Sequence, residues 1–287
     1  ATYNKEDKNA TELKDFLNDF TSTSEHLSVE YTEVDDKQFH FDILKDNNPT
    51  GIRFRGIPNG HEFTSLLLAI LNTDGQGKNI PDETIQRRIK SLKGEISLST
   101  YVSLTCTNCP DVVQALNLMS LINPNIKHEM VDGGVFQTEV SNLNIQGVPA
   151  VYCNGKSLHV GRGDLGVLLQ ELEDAVGSQT DENIEPIERK FDVVVIGGGP
   201  AGASAAIYSA RKGLRVGLIA ERIGGQVNDT TGIQNLISVP ETTGTQLASD
   251  LKTHLNTYPI ELFEHRKITS VKLNDALKAI SVKGGEV

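Results

Sequence analysis

Cysteine is scarce, with three in 287 residues, which excludes a disulfide scaffold. Two of them, Cys106 and Cys109, form a C-x-x-C pair, and Cys153 stands alone. No second C-x-x-C or H-x3-H pattern accompanies the pair, so the four ligands of a structural zinc site are not assembled and no metal is expected. His26, His40, His159, His254 and His265 read as surface or half-buried side chains rather than ligands. Long apolar runs are missing as well. The longest, Leu66 to Leu71, is far short of the ~18 residues of a bilayer span. The segment Ala1 to Lys14 is polar and has no apolar core of a secretion signal. Basic charge is in deficit, with 27 Lys plus Arg against 38 Asp plus Glu and a net charge of −11. No basic field is then available to neutralise phosphates, which argues against a nucleic-acid or anionic-membrane binder. A G-x-S-x-G elbow is also absent, so a serine hydrolase is not expected. The composition that remains, 38% hydrophobic and 23% charged, is that of a soluble globular protein rather than a disordered one. A cytoplasmic location is expected, and the length suggests two or three domains.

Residues 1–94 open with Leu13, Phe16, Leu17 and Phe20 at helical spacing. Strands are expected at Leu27 to Val34, Phe39 to Ile43 and Ile52 to Phe54. Helices are expected at His61 to Leu71 and at Pro81 to Leu92, with Pro81 in the first turn. Residues 95–176 read as a strand from Glu95 to Leu104, a helix from Pro110 to Leu121, a strand from Ile126 to Val131 and a helix from Val135 to Leu143. Two short strands then flank a turn at Asn154-Gly155, and Asp164 caps a last helix to Val176. Residues 177–190 are polar and charged and read as a linker; fourteen residues of coil span roughly 20 Å. From 191 onward a new domain begins. Asp192 to Ile196 reads as a continuously buried parallel strand, followed by a glycine loop, a small-residue helix and a second strand from Leu214 to Ala220. A helix near Thr245 to Tyr258 and strands at Ile260 to Phe263, Ile268 to Leu273 and Ile280 to Val282 follow. The closing Gly284-Gly285 resembles the turn of an unfinished hairpin, so this domain is expected to be incomplete at residue 287.

Two motifs carry chemistry. Cys106-Thr107-Asn108-Cys109-Pro110 lies between a strand end and a helix start, where exposed N–H groups and the positive end of the helix dipole stabilise a thiolate. Such a pair can close and reopen a disulfide by exchange, with Cys106 the more exposed, attacking sulfur and Cys109 resolving. The plain alternative is two structural cysteines or half of a metal site. The strand-turn-helix context matches a thioredoxin-like motif. Val148-Pro149, 40 residues beyond Cys109, stands where such folds present a cis-proline beside the dithiol. Ile57-Pro58 is read as the corresponding place in the first block, which has no cysteine, so the two blocks look like tandem thioredoxin-like folds. The second motif is Gly197-Gly198-Gly199-Pro200-Ala201-Gly202, a G-x-G-x-x-G between strand and helix with Glu221 nineteen residues past the last glycine. The glycines permit a tight turn and close approach to a pyrophosphate, and Glu221 can accept from a ribose hydroxyl. The spacing does not decide between FAD and a nicotinamide. Cys153, in an alternating strand, reads as a small buried hydrophobe.

From about Arg53 through Ser238 the chain resembles the flavoprotein component of bacterial alkyl hydroperoxide reductases, a thioredoxin-reductase-like family. The resemblance rests on Gly60 to Leu66 (GHEFTSL), Cys106 to Asn117 (CTNCPDVVQALN) and Gln146 to Ala150 (QGVPA). In the later part it rests on Gly197 to Gly202, Ile207 to Gly213 (IYSARKG) and Glu221 to Gln226 (ERIGGQ). It implies an α/β protein: tandem thioredoxin-like folds (1–94 without a dithiol, 95–176 with it), a linker (177–190), and a truncated Rossmann-like FAD-binding domain (191–287). It implies electron flow from NADH through FAD and a disulfide beside the flavin to Cys106 and Cys109, and then to the disulfide of a peroxiredoxin partner. A homodimer through the flavin domains is implied too. Pro149 would serve the dithiol site, with Glu62 as its proton-handling carboxylate. The bland reading of Glu62 is a helix N-terminal charge. Arg222, Gly225, Gln226 and Asn235 would join the glycine loop around FAD. The nicotinamide domain and a second C-x-x-C are not found in these residues, so the chain is expected to be the N-terminal part of such an enzyme. Two other readings are weighed: a reductase of thioredoxin itself, and a redox-inert module that only docks partners.

Overall fold

The computed structural model describes residues 1–4, 6–35, 38–75, 77, 79–179, 188–273 and 277–283. Most of the linker read at 177–190, and the closing Gly284-Gly285 turn, lie outside the described residues. The chain divides into two compact units, Ala1–Thr180 and Asp181–Val287.

The first unit repeats one topology twice. Its first half runs β1 (Thr2–Asn4), α1 (Ala10–Ser22), β2 (Thr32–Val34), β3 (Phe39–Lys45), β4 (Asn48–Arg55) and α2 (Phe63–Asn72). A connecting helix, α3 (Glu83–Lys90), leads to the second half: β5 (Ile96–Val102), α4 (Cys109–Ile122), β6 (Ile126–Asp132), α5 (Gln137–Asn142), β7 (Ala150–Cys153), β8 (Lys156–Val160) and α6 (Leu165–Val176). In each half the first two strands pair in parallel, the third pairs antiparallel with the first, and the fourth antiparallel with the third. Parallel pairing of β4 with β6 joins the halves into one sheet of order β2-β1-β3-β4-β6-β5-β7-β8. The residues dictate which face is buried. Along β5, Ile96, Leu98, Thr100 and Val102 are buried in alternation with Ser97 and Ser99, the period of a strand with one apolar face. Val112, Val113, Leu116 and Met119 of α4 cover that face. Phe41 and Phe54 stack across the antiparallel β3–β4 pair with ring centroids 5.1 Å apart.

Several local expectations are corrected. Only Thr32–Val34 of the segment Leu27 to Val34 is a strand, and it pairs with Thr2–Asn4, a strand too short for periodicity to reveal. Helix α3 begins after Pro81 because Asp82 caps it, its carboxylate accepting from Thr84 N at 3.0 Å and Ile85 N at 3.2 Å, and a capped start outweighs proline at the first helical position. Helix α5 spans six residues, since Val135 and Phe136 instead bond the Asp132 carbonyl at 3.1 and 3.0 Å. Ile57-Pro58 follows β4, whereas Val148-Pro149 precedes β7, so the two prolines do not hold corresponding places in the repeat. The turn at Asn154-Gly155 has the positive φ of both residues, 48° and 77°, that a tight hairpin needs. Asp164 caps α6 as expected, accepting from Val167 N at 3.0 Å.

The second unit has a parallel sheet of order β11-β10-β9, formed by β9 (Val193–Ile196), α7 (Pro200–Arg211), β10 (Val216–Ile219), α8 (Gly244–Leu255) and β11 (Ile260–Phe263). An antiparallel pair, β12 (Ile268–Leu273) and β13 (Lys278–Val282), follows. The expected continuously buried strand is β10 rather than β9: β10 lies between two neighbours, while Ile196 at the end of β9 is 54% exposed. Among the described residues no helix is long and apolar enough to cross a membrane.

Candidate active site

Strands β4, β5 and β6 run parallel, so their carboxyl ends open on one edge of the sheet, the usual place for a site in parallel sheets. Cys106 follows β5, and Cys109 is the first residue of α4. They are joined as a disulfide with Cα atoms 5.6 Å apart. Cys109 is fully buried and Cys106 is half-buried, the asymmetry expected of a resolving and an attacking sulfur. Cys106 Sγ lies 3.9 Å from the Val148 carbonyl. The Val148–Pro149 peptide bond is cis, and the Pro149 carbonyl accepts from Gly161 N at 2.8 Å.

The first half of the repeat supplies the other wall. The loop after β4 turns at Gly56 (φ 133°) and Gly60 (φ 59°); a Cβ at Gly60 would stand 2.7 Å from the Leu104 carbonyl, and one at Gly56 would stand 2.7 Å from Asp132 Cβ. His61 N donates to the same Leu104 carbonyl at 3.3 Å. This close approach seats the turn Gly60–Glu62 against the cysteine loop. Glu62 is fully buried. Its Oε2 accepts from Ser65 Oγ at 2.6 Å, and its Oε1 has no hydrogen-bond partner. Burial raises its carboxyl to about 7, Ser65 opposes the rise, and the Asp111 carboxylate adds to it. An exposed charge resting on a helix dipole would be neither desolvated nor raised. Ser65 and Gln114 were not singled out for the site, and their separation by 49 positions leaves no local signal.

Deeper on the same face, His128 is fully buried, and burial pushes it down to about 3. It bonds Thr100 Oγ1 at 2.8 Å and Asn117 Oδ1 at 2.7 Å, a neutral ring donating to the amide oxygen and accepting from the hydroxyl. Its place between Ile52 and Leu98 makes it part of the core. His40 is also buried, at 8% exposed, because it lies in β3 within the sheet rather than on the surface. Cys153 is buried with its thiol raised by desolvation.

In the second unit the glycine loop stands between β9 and α7. A Cβ at Gly198 would meet the Arg222 carbonyl at 2.6 Å, and one at Gly202 the Gly197 carbonyl at 1.9 Å. These two positions are closed by packing. Gly199, which caps α7 with no side-chain hydrogen bond ahead of Pro200, meets nothing nearer than 3.9 Å. The helix N-terminus is therefore left open by the lack of side chains, with Ala201 in its first turn, and it fits the pyrophosphate of a dinucleotide. Gly225 approaches Gly199 to 3.5 Å, and Gly224 N donates to the Gly198 carbonyl at 2.8 Å. The structure thus brings Gly197 to Gly202 and Gly224-Gly225 together. Glu221 and Gln226 are exposed beside them, and Arg222 is paired with Asp229. Asn235 is exposed in a loop closed by pairing of Ile233 with Thr242, and no hydrogen bond among the described residues joins it to the glycines.

A buried disulfide edge on a doubled sheet, followed by a glycine-loop βαβ unit, defines a disulfide oxidoreductase architecture with a dinucleotide-binding part. Residues 97–172 match the thioredoxin domain family and residues 192–277 the FAD dependent oxidoreductase family. The chain is 44% identical over all 287 residues to the alkyl hydroperoxide reductase AhpF of Staphylococcus aureus (strain NCTC 8325 / PS 47), covering 55% of that protein. It is 43% identical over 282 residues to a protein of Bacillus subtilis (strain 168) named NADH dehydrogenase, covering 98% of this chain and 54% of the relative. Among solved structures, the NTD_N/C domain of alkylhydroperoxide reductase AhpF from Enterococcus faecalis (V583) is 31% identical with a TM-score of 0.56, over 60% of this chain and 87% of that one. The chain belongs to the AhpF family of alkyl hydroperoxide reductases. It spans about half the length of the curated relatives it matches.

Proposed function

We propose that this chain serves a disulfide reductase of the cytoplasm in which NADH is the electron source and the disulfide of a peroxiredoxin is the acceptor, in the service of peroxide detoxification. The observation that carries this reading is the Cys106–Cys109 disulfide at the start of α4, one sulfur half-buried and the other fully buried. We read residues 1–94 and 95–176 as the two thioredoxin-like parts, 177–190 as the linker and 191–287 as the FAD-binding part. Gly197 to Gly202, with Gly225, Gln226 and Glu221, would hold FAD, and Arg222 and Asn235 would border it. When bound, FAD supplies two-electron chemistry with a nicotinamide. A homodimer is part of the reading.

At the dithiol, the chain's own residues divide the work. In the reduced form, the Cys106 thiolate attacks one sulfur of the partner disulfide, and the partner's other sulfur leaves as a thiolate and takes a proton from water. Cys109 then gives its proton to Glu62, attacks Cys106 Sγ, and the second partner sulfur leaves with the electron pair. Two electrons pass to the partner and the Cys106–Cys109 bond re-forms. A carboxyl raised to about 7 is matched to taking and returning a proton near neutral pH. The Val148 carbonyl beside Cys106, ahead of Pro149, offers backbone for an extended partner segment.

The test is transfer from the chemically reduced chain to an oxidised peroxiredoxin, followed by partner thiol formation. Cys106→Ser is expected to abolish transfer, while Cys109→Ser is expected to stall at a trapped mixed disulfide. Transfer retained in Cys106→Ser would overturn the assignment.

A further inference from the structure

Ser65 is buried three residues after Glu62, on the face of α2 that also carries Leu66 and Ala69. Leu66 packs in one core cluster with Cys109 and Val113 of α4, so this face is turned to the dithiol helix. A buried serine in a helix ordinarily returns its hydroxyl to a carbonyl one turn back. Here Thr64 takes the His61 carbonyl at 3.0 Å, and Ser65 Oγ donates to Glu62 Oε2 at 2.6 Å. Gln114 Nε2, on α4, lies 3.4 Å from Ser65 Oγ and 3.3 Å from Thr64 Oγ1. An amide nitrogen can only donate, so Gln114 occupies a serine lone pair and directs the one hydroxyl proton to Glu62. The two carboxylate oxygens are thereby made unequal. Oε2 is engaged, and Oε1 is buried without a partner.

We infer that Ser65, oriented by Gln114, is the positioning residue of the dithiol site, holding Oε2 so that Oε1 is the atom that takes the Cys109 proton and returns it. The inference rests on the reading of Glu62 as the proton-handling group. It goes beyond that reading in assigning the two oxygens different tasks and in naming the hydrogen-bond chain that separates them. The charged group facing Glu62 from α4 is Asp111, which is itself influenced by Arg162 and Asp164. A change at Ser65 leaves these three in place.

The experiment follows the reduced 287-residue chain as it reacts with 5,5′-dithiobis(2-nitrobenzoate), recording the exchange rate from about pH 5 to 9. The unsubstituted chain is expected to show an inflection near 7, and Glu62→Gln to lose it. Ser65→Ala removes a hydrogen bond to the ionised form and is expected to move the inflection up by about one pH unit. Ser65→Thr, which keeps the hydroxyl, should restore it. An inflection unmoved in Ser65→Ala overturns the role of Ser65 while leaving Glu62 in place. An inflection that persists in Glu62→Gln overturns the Glu62 reading itself. If Ser65→Ala does not fold, Gln114→Met at the half-buried end of the chain decides: a smaller upward shift supports the inference, and an unchanged profile sinks it.

Discussion

Glu62 sits on a buried helix face, and its energetics follow from that place. Its carboxyl is raised from its ordinary value to about 7, first by burial. Between pH 4.5 and 7 the unfolded chain has lost this proton while the folded chain keeps it. Stability from this group is therefore fully present below pH 4.5 and is lost as pH rises through 7, by on the order of 3 kcal/mol. Glu62→Gln cannot titrate, so relative to the unsubstituted chain it should gain roughly that amount between pH 4.5 and 8. Urea midpoints at several pH values measure it, and parallel pH profiles for the two proteins would contradict it. The glycines are specific at the same scale. Gly60 is required by the Leu104 carbonyl at its missing Cβ, whereas Gly199 is required by nothing in the chain; its open side faces the place argued for the dinucleotide.

At the scale of elements, α3 is the bridge between the halves of the first unit, and one buried ion pair ties it down. Arg88 of α3 donates to both carboxylate oxygens of Glu173 in α6, at 2.9 and 3.0 Å, with side chains 6% and 4% exposed. Buried pairs of this kind stabilise little against a well-packed apolar replacement, but breaking one is costly. Arg88→Met should lower stability by about 3 kcal/mol, and Arg88→Met with Glu173→Leu should recover most of the loss. Thermal or urea unfolding of the two variants checks both. A single variant no weaker than the double one would show that the pair contributes no coupling. The elements themselves were largely legible. Leu13, Phe16, Leu17 and Phe20 announced α1, and the Cys-Pro start with Val112, Val113 and Leu116 announced α4. Elements that tertiary pairing creates were not: β1 is a strand because β2 and β3 lie on either side of it, and three residues carry no period of their own.

On the scale of the whole molecule, each unit buries its own core. The clusters around Phe54 and Leu116 belong to the first, and the cluster around Ala206 and Leu218 belongs to the second. Ligand binding stabilises only the unit that holds the ligand. Calorimetry of the 287-residue chain should resolve two transitions, and added FAD should raise only the one that the fluorescence of the dithiol unit's tyrosines does not report. A single transition, or a shift in the dithiol transition, would count against independent units.

What the sequence determined by itself is local and covalent. The C-x-x-C spacing permits a disulfide between neighbours on one turn, the glycine loop needs only strand, turn and helix in order, and the resemblance to the alkyl hydroperoxide reductase flavoproteins was carried by short continuous motifs. The partnership across the repeat was left to the tertiary structure. Glu62 comes to the dithiol side of the molecule because β4 of the first half pairs in parallel with β6 of the second, setting the carboxyl ends of β4, β5 and β6 on one edge. Burial, which raises the Glu62 carboxyl and lowers His128, is likewise a property of the packed molecule. No spacing along the chain encodes how much water a carboxylate will lose, because that depends on the residues brought against it from elsewhere in the fold.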